Sequence, residues 1–130
     1  MSVGLLLITH EGIAQGLLTT AANMLGDYPL PTQALEVPLD ADPNLIQQQG
    51  LAYIQQLDQG DGVLILSDIY GGTPCNIGQA LLSSSLIRMV TGVNLPMLVR
   101  VLNYPQLNLD DLTKKAISGG QDGILLRDGK

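Results

Sequence analysis

The sequence predicts an α/β domain in which a mainly parallel sheet carries helices on both faces. Short apolar runs alternate with segments of helical periodicity along the whole chain, which is typical of strand–helix–strand units. The apolar runs are continuous, as expected for parallel strands buried on both faces. Two dipeptides that place proline after a capping residue, Asp42-Pro43 and Thr73-Pro74, begin helices between such runs. We therefore expect the strand order 2-1-3-4, plus a short C-terminal strand.

Five segments are predicted as strands. In chain order they are Val3–Ile8, Ala34–Val37, Val63–Leu66, Leu86–Val90 and Gly123–Arg127. The second is the least regular, because it is short and contains the acidic residue Glu36. The last is short and apolar and is expected to leave an unpaired edge that a second subunit would cover.

Helices are predicted between the strands. The first carries an apolar face from Ile13 to Leu25 and ends at Gly26. The second begins at Asp42-Pro43, and the third begins at Thr73-Pro74 with the Thr73 hydroxyl as its N-cap.

Two further helices are predicted near the C-terminus. Pro96 is the expected first residue of a helix over Met97–Tyr104, although the apolar alternation there also permits a strand. The last helix has Asp110 and Asp111 in its first turn and is expected to stop at Gly119-Gly120.

Composition favours a single domain over residues 1–130, because 130 residues with a 45% apolar fraction are enough for one core. The net charge of −6 and the absence of a basic run argue against nucleic acid or an anionic membrane surface as the main partner. No apolar run reaches membrane-spanning length, so direct membrane insertion is not expected.

Cysteine and histidine usage limits the chemistry further. A single cysteine, Cys75, excludes an internal disulfide framework and fits a reducing compartment, and no basic leader precedes the first strand, so a cytoplasmic location is expected. One cysteine and one histidine also leave no nitrogen–sulfur cluster for zinc. No metal and no cofactor are predicted.

The stretch from Ser67 to Gly78 has the features of an anion site. Asp68 follows the third strand, Gly71-Gly72 permits a tight turn, and Thr73 begins a helix. A helix N-terminus presents unpaired N–H groups and a positive dipole end to a ligand. Gly71, Gly72 and Thr73 are therefore the predicted phosphate-binding residues.

The predicted strand order brings His10 to this site. His10 ends the first strand and Asp68 ends the third, and in the order 2-1-3-4 these strands are neighbours where ligands gather. A carboxylate on one ring nitrogen fixes the imidazole tautomer and presents the other nitrogen as a nucleophile or base. Beside an anion site, the expected electrophile is phosphorus.

Other functions explain parts of the pattern. A flavodoxin-like module would hold a flavin or nucleotide phosphate on the glycine turn, but it leaves His10 unused, and aromatic residues make up 3% of the chain. A receiver-type signalling domain would have an acidic pair after the first strand. A small hydrolase would use Cys75 as the nucleophile and His10 as its base.

Three segments resemble a known family. Residues 9–16 read Thr-His-Glu-Gly-Ile-Ala-Gln-Gly, residues 67–76 read Ser-Asp-Ile-Tyr-Gly-Gly-Thr-Pro-Cys-Asn, and residues 91–97 read Thr-Gly-Val-Asn-Leu-Pro-Met. They resemble the signature segments of the mannose-type enzyme IIA, the phosphohistidine carriers of the bacterial phosphoenolpyruvate-dependent sugar phosphotransferase system. The related dihydroxyacetone-kinase phosphocarrier shares the histidine segment but not the Gly-Gly-Thr/Ser-Pro turn.

The resemblance implies a role for each residue of the site. His10 is the phosphorylated residue, Asp68 is its hydrogen-bonded partner, and Thr73 is a donor to the phosphoryl group. The implied donor is the histidine-containing phosphocarrier protein and the implied acceptor is an enzyme IIB. A homodimer is also implied, in some members with the C-terminal strand exchanged between subunits. Because many such transporters fuse the IIB domain behind IIA and this chain stops at Lys130, either a separate IIB or a regulatory role without transport is expected.

Overall fold

The computed structural model describes residues 2–84 and 86–129. The predicted domain of residues 1–130 also includes Met1, Ser85 and Lys130, which lie outside the described residues. The strands are β1 (Gly4–His10), β2 (Thr32–Val37), β3 (Val63–Ser67) and β4 (Ile87–Thr91). The helices are α1 (Ala14–Leu25), α2 (Pro43–Leu57), α3 (Thr73–Ala80), α4 (Leu95–Leu102) and α5 (Leu109–Asp122).

The four strands form one sheet in the predicted order β2-β1-β3-β4, and every pair is parallel. Leu7 of β1 lies opposite Ala34 of β2 on one side and Leu66 of β3 on the other. The chain leaves β1 toward one edge of the sheet and leaves β3 toward the other. The carboxyl ends of β1 and β3 therefore meet at the reversal point where α/β proteins bind ligands.

Helices cover both faces of the sheet, as predicted. Leu5 and Leu7 face α1, α4 and α5, whereas Leu6 and Ile8 face α2 and α3. All four side chains are 0% exposed. Burying a side chain of this size contributes about 1.5–3 kcal/mol, and burial on both faces explains why the strand reads as a continuous apolar run.

The N-termini of three helices are capped by side chains. Asp42 accepts from Asn44 N at 3.0 Å at the start of α2, which confirms the predicted cap. Asn94 accepts from Met97 N at 2.9 Å, so the segment after it is helix α4 and not the alternative strand. The third cap is Asn108, at the start of α5.

The prediction that the last helix stops at Gly119-Gly120 is wrong, because α5 continues to Asp122. A Cβ on Gly119 would collide with Arg100 of α4, and one on Gly120 would lie 2.9 Å from Met97 Cε. These glycines allow α4 and α5 to pack closely. They reflect helix–helix contact, which a sequence pattern cannot distinguish from a helix stop.

The predicted strand over Gly123–Arg127 is not formed. Gly123 ends α5 against Pro96, in the helical layer, and residues 124–129 leave from there without regular secondary structure. Ile124, Leu125 and Leu126 are 76, 74 and 88% exposed. The prediction of a C-terminal strand is therefore wrong for this chain, because these apolar residues pair with none of the four strands of the described sheet.

Within residues 2–84 and 86–129, no helix is both long enough and apolar enough to cross a membrane.

Candidate functional site

His10 and Asp68 are in direct contact although 58 positions separate them in the chain. His10 is the last residue of β1, and Asp68 follows the last residue of β3. His10 Nδ1 lies 2.7 Å from Asp68 Oδ2, and the His10 backbone N–H donates to the same oxygen at 3.0 Å. The imidazole side chain is 43% exposed, whereas the Asp68 side chain is 9% exposed. The pair thus has a largely buried carboxylate and an accessible ring.

Asp68 is held in its ionised form. Burial alone would raise the pKa of Asp68, but hydrogen bonds from the His10 backbone and ring, together with the ring's charge, lower this pKa below its ordinary 3.8. The other carboxylate oxygen accepts from Ile69 N at 3.0 Å. An ionised carboxylate only accepts hydrogen bonds, so the proton of a neutral His10 ring is on Nδ1 and the lone pair is on Nε2.

The glycine turn lies against the accessible side of the ring. A Cβ on Gly72 would stand 3.1 Å from His10 Cε1 and 3.6 Å from His10 Nε2. Gly71 has φ 91°, a left-handed conformation that favours glycine. Gly72 is therefore in contact with His10, whereas Gly71 serves to shape the turn that brings it there.

The predicted N-cap of α3 is wrong by one residue. Gly72 is the N-cap, in extended conformation, and its carbonyl oxygen accepts from Asn76 N at 3.0 Å. Thr73 is the first helical residue and is exposed, and its hydroxyl has no hydrogen-bond partner among the described residues. A side chain at this cap position would crowd the His10 ring, because a Cβ there would stand 3.1 Å from His10 Cε1.

The N-terminus of α3 has no side-chain cap, and Pro74 lies in its first turn. It is the uncapped end of a helix that begins beside Nε2, and such an end attracts anions through its N–H groups and its dipole. Cys75, in the same turn, is 2% exposed.

A third segment supports the end of β3. Val93 N donates to the carbonyl oxygen of Ser67, the residue before Asp68, at 2.9 Å. Asn94, besides capping α4, donates through Nδ2 to the Gly120 carbonyl oxygen at 3.2 Å. The segment from Thr91 to Met97 thus connects the carboxylate-bearing turn to the α4–α5 layer.

Thr9 has a role that sequence reasoning missed. Its side chain is 0% exposed, its hydroxyl donates to the His10 carbonyl oxygen at 2.7 Å, and it accepts from Ala14 N at 3.0 Å. The His10 carbonyl oxygen also accepts from Ile13 N at 3.3 Å. These bonds hold the carbonyl group of His10, whereas Asp68 holds its N–H group and its ring.

Glu36 was also missed, although one signal pointed to it. It lies opposite Thr9 in the β1–β2 register, and its two carboxylate oxygens accept from Gly12 N at 3.0 Å and from Gln15 N at 2.9 Å. A single acidic residue inside the predicted strand Ala34–Val37, whose other residues are apolar, is the signal. Its partners are backbone N–H groups more than twenty positions away, which no local pattern reveals.

An open groove of about 520 Å³ borders the ring on the β2 side, lined in part by Gly12, Val37 and Pro38. Leu39 at its rim is fully exposed, and Ile69 and Tyr70 beyond Asp68 are 57 and 79% exposed. The histidine thus lies between two exposed apolar patches.

Comparison with known proteins gives consistent matches. The family described as the PTS system fructose IIA component matches residues 4–117. The PTS system mannose-specific EIIAB component of Escherichia coli K12 is 31% identical over 127 residues, which is 95% of this chain and 39% of that protein. This chain therefore spans about two fifths of the length of that relative. The transcriptional regulatory protein LevR of Bacillus subtilis is 27% identical over 119 residues, covering 82% of this chain and 12% of LevR.

Solved structures show the same fold. The mannose/sorbose specific IIA subunit of the phosphotransferase system from Enterococcus faecalis superposes with a TM-score of 0.88 at 24% identity, covering 100% of this chain and 98% of that one. The phosphotransferase system component EIIA from Streptococcus agalactiae gives 0.83 at 22% identity, covering 95% and 96%. The chain belongs to the mannose-type enzyme IIA family of the sugar phosphotransferase system.

Proposed function

We propose that this protein is a phosphocarrier that accepts a phosphoryl group on His10 from the histidine-containing phosphocarrier protein and passes it to an enzyme IIB. The observation that carries the proposal is the 2.7 Å contact between His10 Nδ1 and Asp68, with the other ring nitrogen facing the uncapped start of α3. A ring oriented in this way presents a nucleophilic lone pair beside an anion site.

The transfer involves one bond formed and one bond broken. The Nε2 lone pair of His10 forms a P–N bond while the P–N bond of the phosphorylated donor breaks, and the donor nitrogen keeps that electron pair. The phosphorylated His10 ring retains its Nδ1 proton and becomes cationic, so the Asp68 carboxylate balances its charge. Transfer to enzyme IIB reverses these steps with the acceptor's side chain as nucleophile.

Phosphoryl oxygens are held by the turn that precedes α3. Among the described residues, the N–H groups of Thr73 and Cys75 and the Thr73 hydroxyl have no protein partner to displace, and they offer donors to an oxyanion. Gly71 and Gly72 let the main chain approach closely enough for this contact.

The surface around His10 suits protein partners. The proposed phosphoryl donor and acceptor are proteins, and each must bring its own reactive atom to the exposed ring nitrogen of His10. The exposed apolar side chains of Leu39, Ile69 and Tyr70 on either side of the ring offer them contact area. Matches to both a transporter component and a transcriptional regulator leave sugar uptake and regulation as the two settings for this carrier.

The hydrolase hypothesis is disfavoured by burial. A nucleophilic thiol must reach its substrate, whereas Cys75 is 2% exposed and packs in the first turn of α3. The flavin-binding hypothesis does not explain the contact between His10 and Asp68.

We also infer that the protein acts as a homodimer. β4 is an edge strand of the described sheet, and the apolar residues Ile124, Leu125 and Leu126 follow α5 and are largely exposed. A groove of about 200 Å³ runs from Val90 and Gly92 at the end of β4 to Ile117 of α5. Pairing each tail with the β4 edge of the other subunit would cover both the edge and the apolar side chains.

One experiment tests the carrier function directly. Incubation with phosphoenolpyruvate, enzyme I and the histidine-containing phosphocarrier protein is expected to add the mass of one phosphoryl group. The label is expected to be labile in acid and stable in base, as a P–N bond requires, and to be absent from His10→Gln. An acid-stable label on the wild type, or a base-stable label on His10→Gln, would exclude His10 as the carrier.

A further inference from the structure

Two helices begin beside His10, and their N-termini differ. Helix α1 follows β1 and helix α3 follows β3, so both positive dipole ends lie at the carboxyl edge of the sheet, on opposite faces. No side chain caps α3. At α1, by contrast, all N–H groups from Gly12 to Gln15 donate to protein oxygens.

Glu36 accepts two of these four hydrogen bonds, and Thr9 and the His10 carbonyl accept the other two. Its two oxygens accept from Gly12 N and Gln15 N, so one carboxylate spans the entry and the first turn of α1. The strand places it there, because Leu35 and Val37 face the opposite layer and Glu36 therefore faces α1. A carboxylate at a helix N-terminus occupies the position that a phosphoryl group would otherwise take.

We propose that Glu36 is a positioning residue for phosphoryl transfer at His10. Its carboxylate fixes the turn between His10 and α1 and closes the α1 N-terminus to anions. Among the described residues, the start of α3 is then the helix N-terminus near His10 Nε2 that remains open to an anion. This inference rests on the proposed function, since it requires His10 to be the phosphoryl acceptor.

The effect is transmitted through the main chain. Gly12 is two residues from His10, and its N–H bond to Glu36 sets the direction in which the chain leaves β1. Gly12 has φ 91°, a conformation that glycine adopts readily, and the bond to Glu36 restrains the turn in this conformation. A nucleophile displaced by a fraction of an ångström from the line of attack loses rate without losing affinity for its partner.

Two substitutions at Glu36 separate its hydrogen bonds from its charge. Glu36→Gln keeps the shape but has a single acceptor oxygen, and its amide would direct an N–H toward a backbone N–H. Glu36→Asp keeps the charge but is one methylene shorter. Glu11→Gln is the matched control, because Glu11 is exposed in the same turn and the Gly12 and Gln15 N–H groups bond to Glu36 instead.

The test measures phosphorylation rate against the concentration of the histidine-containing phosphocarrier protein. Glu36→Gln is expected to lower kcat about tenfold, with KM for the phosphocarrier within about twofold of wild type. The kcat of Glu36→Asp is expected to lie between those of wild type and Glu36→Gln, and the kcat of Glu11→Gln is expected to remain close to that of wild type. In the unphosphorylated protein, amide hydrogen exchange at Gly12 and Gln15 is expected to be faster in Glu36→Gln.

The outcomes separate this inference from the proposed function. A lowered melting temperature with an unchanged kcat per folded molecule would mean that Glu36 only stabilises the fold, and would overturn the inference alone. Should Glu36→Gln fail to fold, a normal kcat in Glu36→Asp with faster exchange at Gly12 would overturn it equally. A wild-type protein that gains no phosphoryl group on His10 would overturn the proposed function, and this inference with it.

Discussion

Asp68 holds both the side chain and the main chain of His10 through one oxygen. Oδ2 lies 2.7 Å from the ring Nδ1 and 3.0 Å from the backbone N, while Thr9 holds the carbonyl oxygen of the same residue. The histidine is thus held at its ring, its N–H group and its carbonyl group, which restrains the orientation of its free nitrogen. Preorganisation of this kind lowers the cost of reaching the transition state.

Replacing Asp68 by asparagine tests this constraint at the scale of a single residue. Asparagine preserves the shape, but it removes the charge that balances a phosphorylated ring, and its amide donates and so favours the wrong tautomer. We expect Asp68→Asn to fold and to be phosphorylated slower by on the order of a hundredfold or more. The steady-state level of phosphohistidine is also expected to fall.

Melting temperature and phosphorylation rate, measured on one preparation of Asp68→Asn, distinguish this role from a purely structural one. A normal rate per folded molecule with a lowered melting temperature would show that Asp68 only shapes the turn. The mechanism through Asp68 would then be wrong, although His10 would remain the candidate acceptor.

At the scale of the element, α3 depends on a glycine at its N-cap. Gly72 takes the cap position because a Cβ there would lie 3.1 Å from His10 Cε1. The hydroxyl expected to cap the helix, that of Thr73, is thereby moved into the first turn, where it is exposed. A glycine cap costs the helix only about a few tenths of a kcal/mol relative to a capping hydroxyl, and it leaves the N-terminus open to an anion.

Gly72→Ala is expected to impair phosphorylation more than stability. The added methyl group must move the His10 ring or the turn by a few tenths of an ångström, and we expect the phosphorylation rate to fall about tenfold or more. The cost in folding free energy is expected to be about 1–3 kcal/mol, as for overpacking in general. Stopped-flow labelling and thermal unfolding of the same sample measure the two effects.

Gly16→Ala provides the control for this substitution. Gly16 lies within α1, and a Cβ there would meet nothing within 4 Å. Alanine is a better helix former than glycine, so this variant is expected to be more stable by roughly 0.5–1 kcal/mol. A normal phosphorylation rate in Gly72→Ala would mean that the close approach of Gly72 to the ring has no functional role.

At the scale of the whole molecule, helices cover both faces of the sheet but leave its β4 edge uncovered. Both faces are covered by helices, whereas β4 has a free edge and the apolar tail from Ile124 to Leu126 is exposed. Exposed edges and apolar tails promote association. We propose that a second copy of the chain covers the β4 edge and the apolar tail.

Removal of residues 124–130 is expected to convert a dimer to a monomer or to aggregated protein. Sedimentation or light scattering of the full chain and the truncated chain gives the oligomeric state. Removal of residues 128–130 alone, which leaves the apolar tail in place, is the control and is expected to remain dimeric. A soluble dimer after the longer truncation would place the interface elsewhere.

Sequence alone determined the strand order, the helical layers and the pairing of His10 with Asp68. Continuous apolar runs specify parallel buried strands, and the topology of such a sheet brings the ends of β1 and β3 together whatever lies between them. These inferences succeeded because they depend on periodicity and chain order, which are properties of the sequence itself.

Tertiary structure alone decided the features that depend on contacts between distant segments. Three such features arise where two elements approach each other. They are the Glu36 bonds to the start of α1, the position of Gly72 next to His10, and the continuation of α5 through Gly119-Gly120. In the sequence, a glycine is equally compatible with a turn, a helix stop or a close packing contact. The atoms that pack against the glycine distinguish these roles, and only the folded structure specifies those atoms.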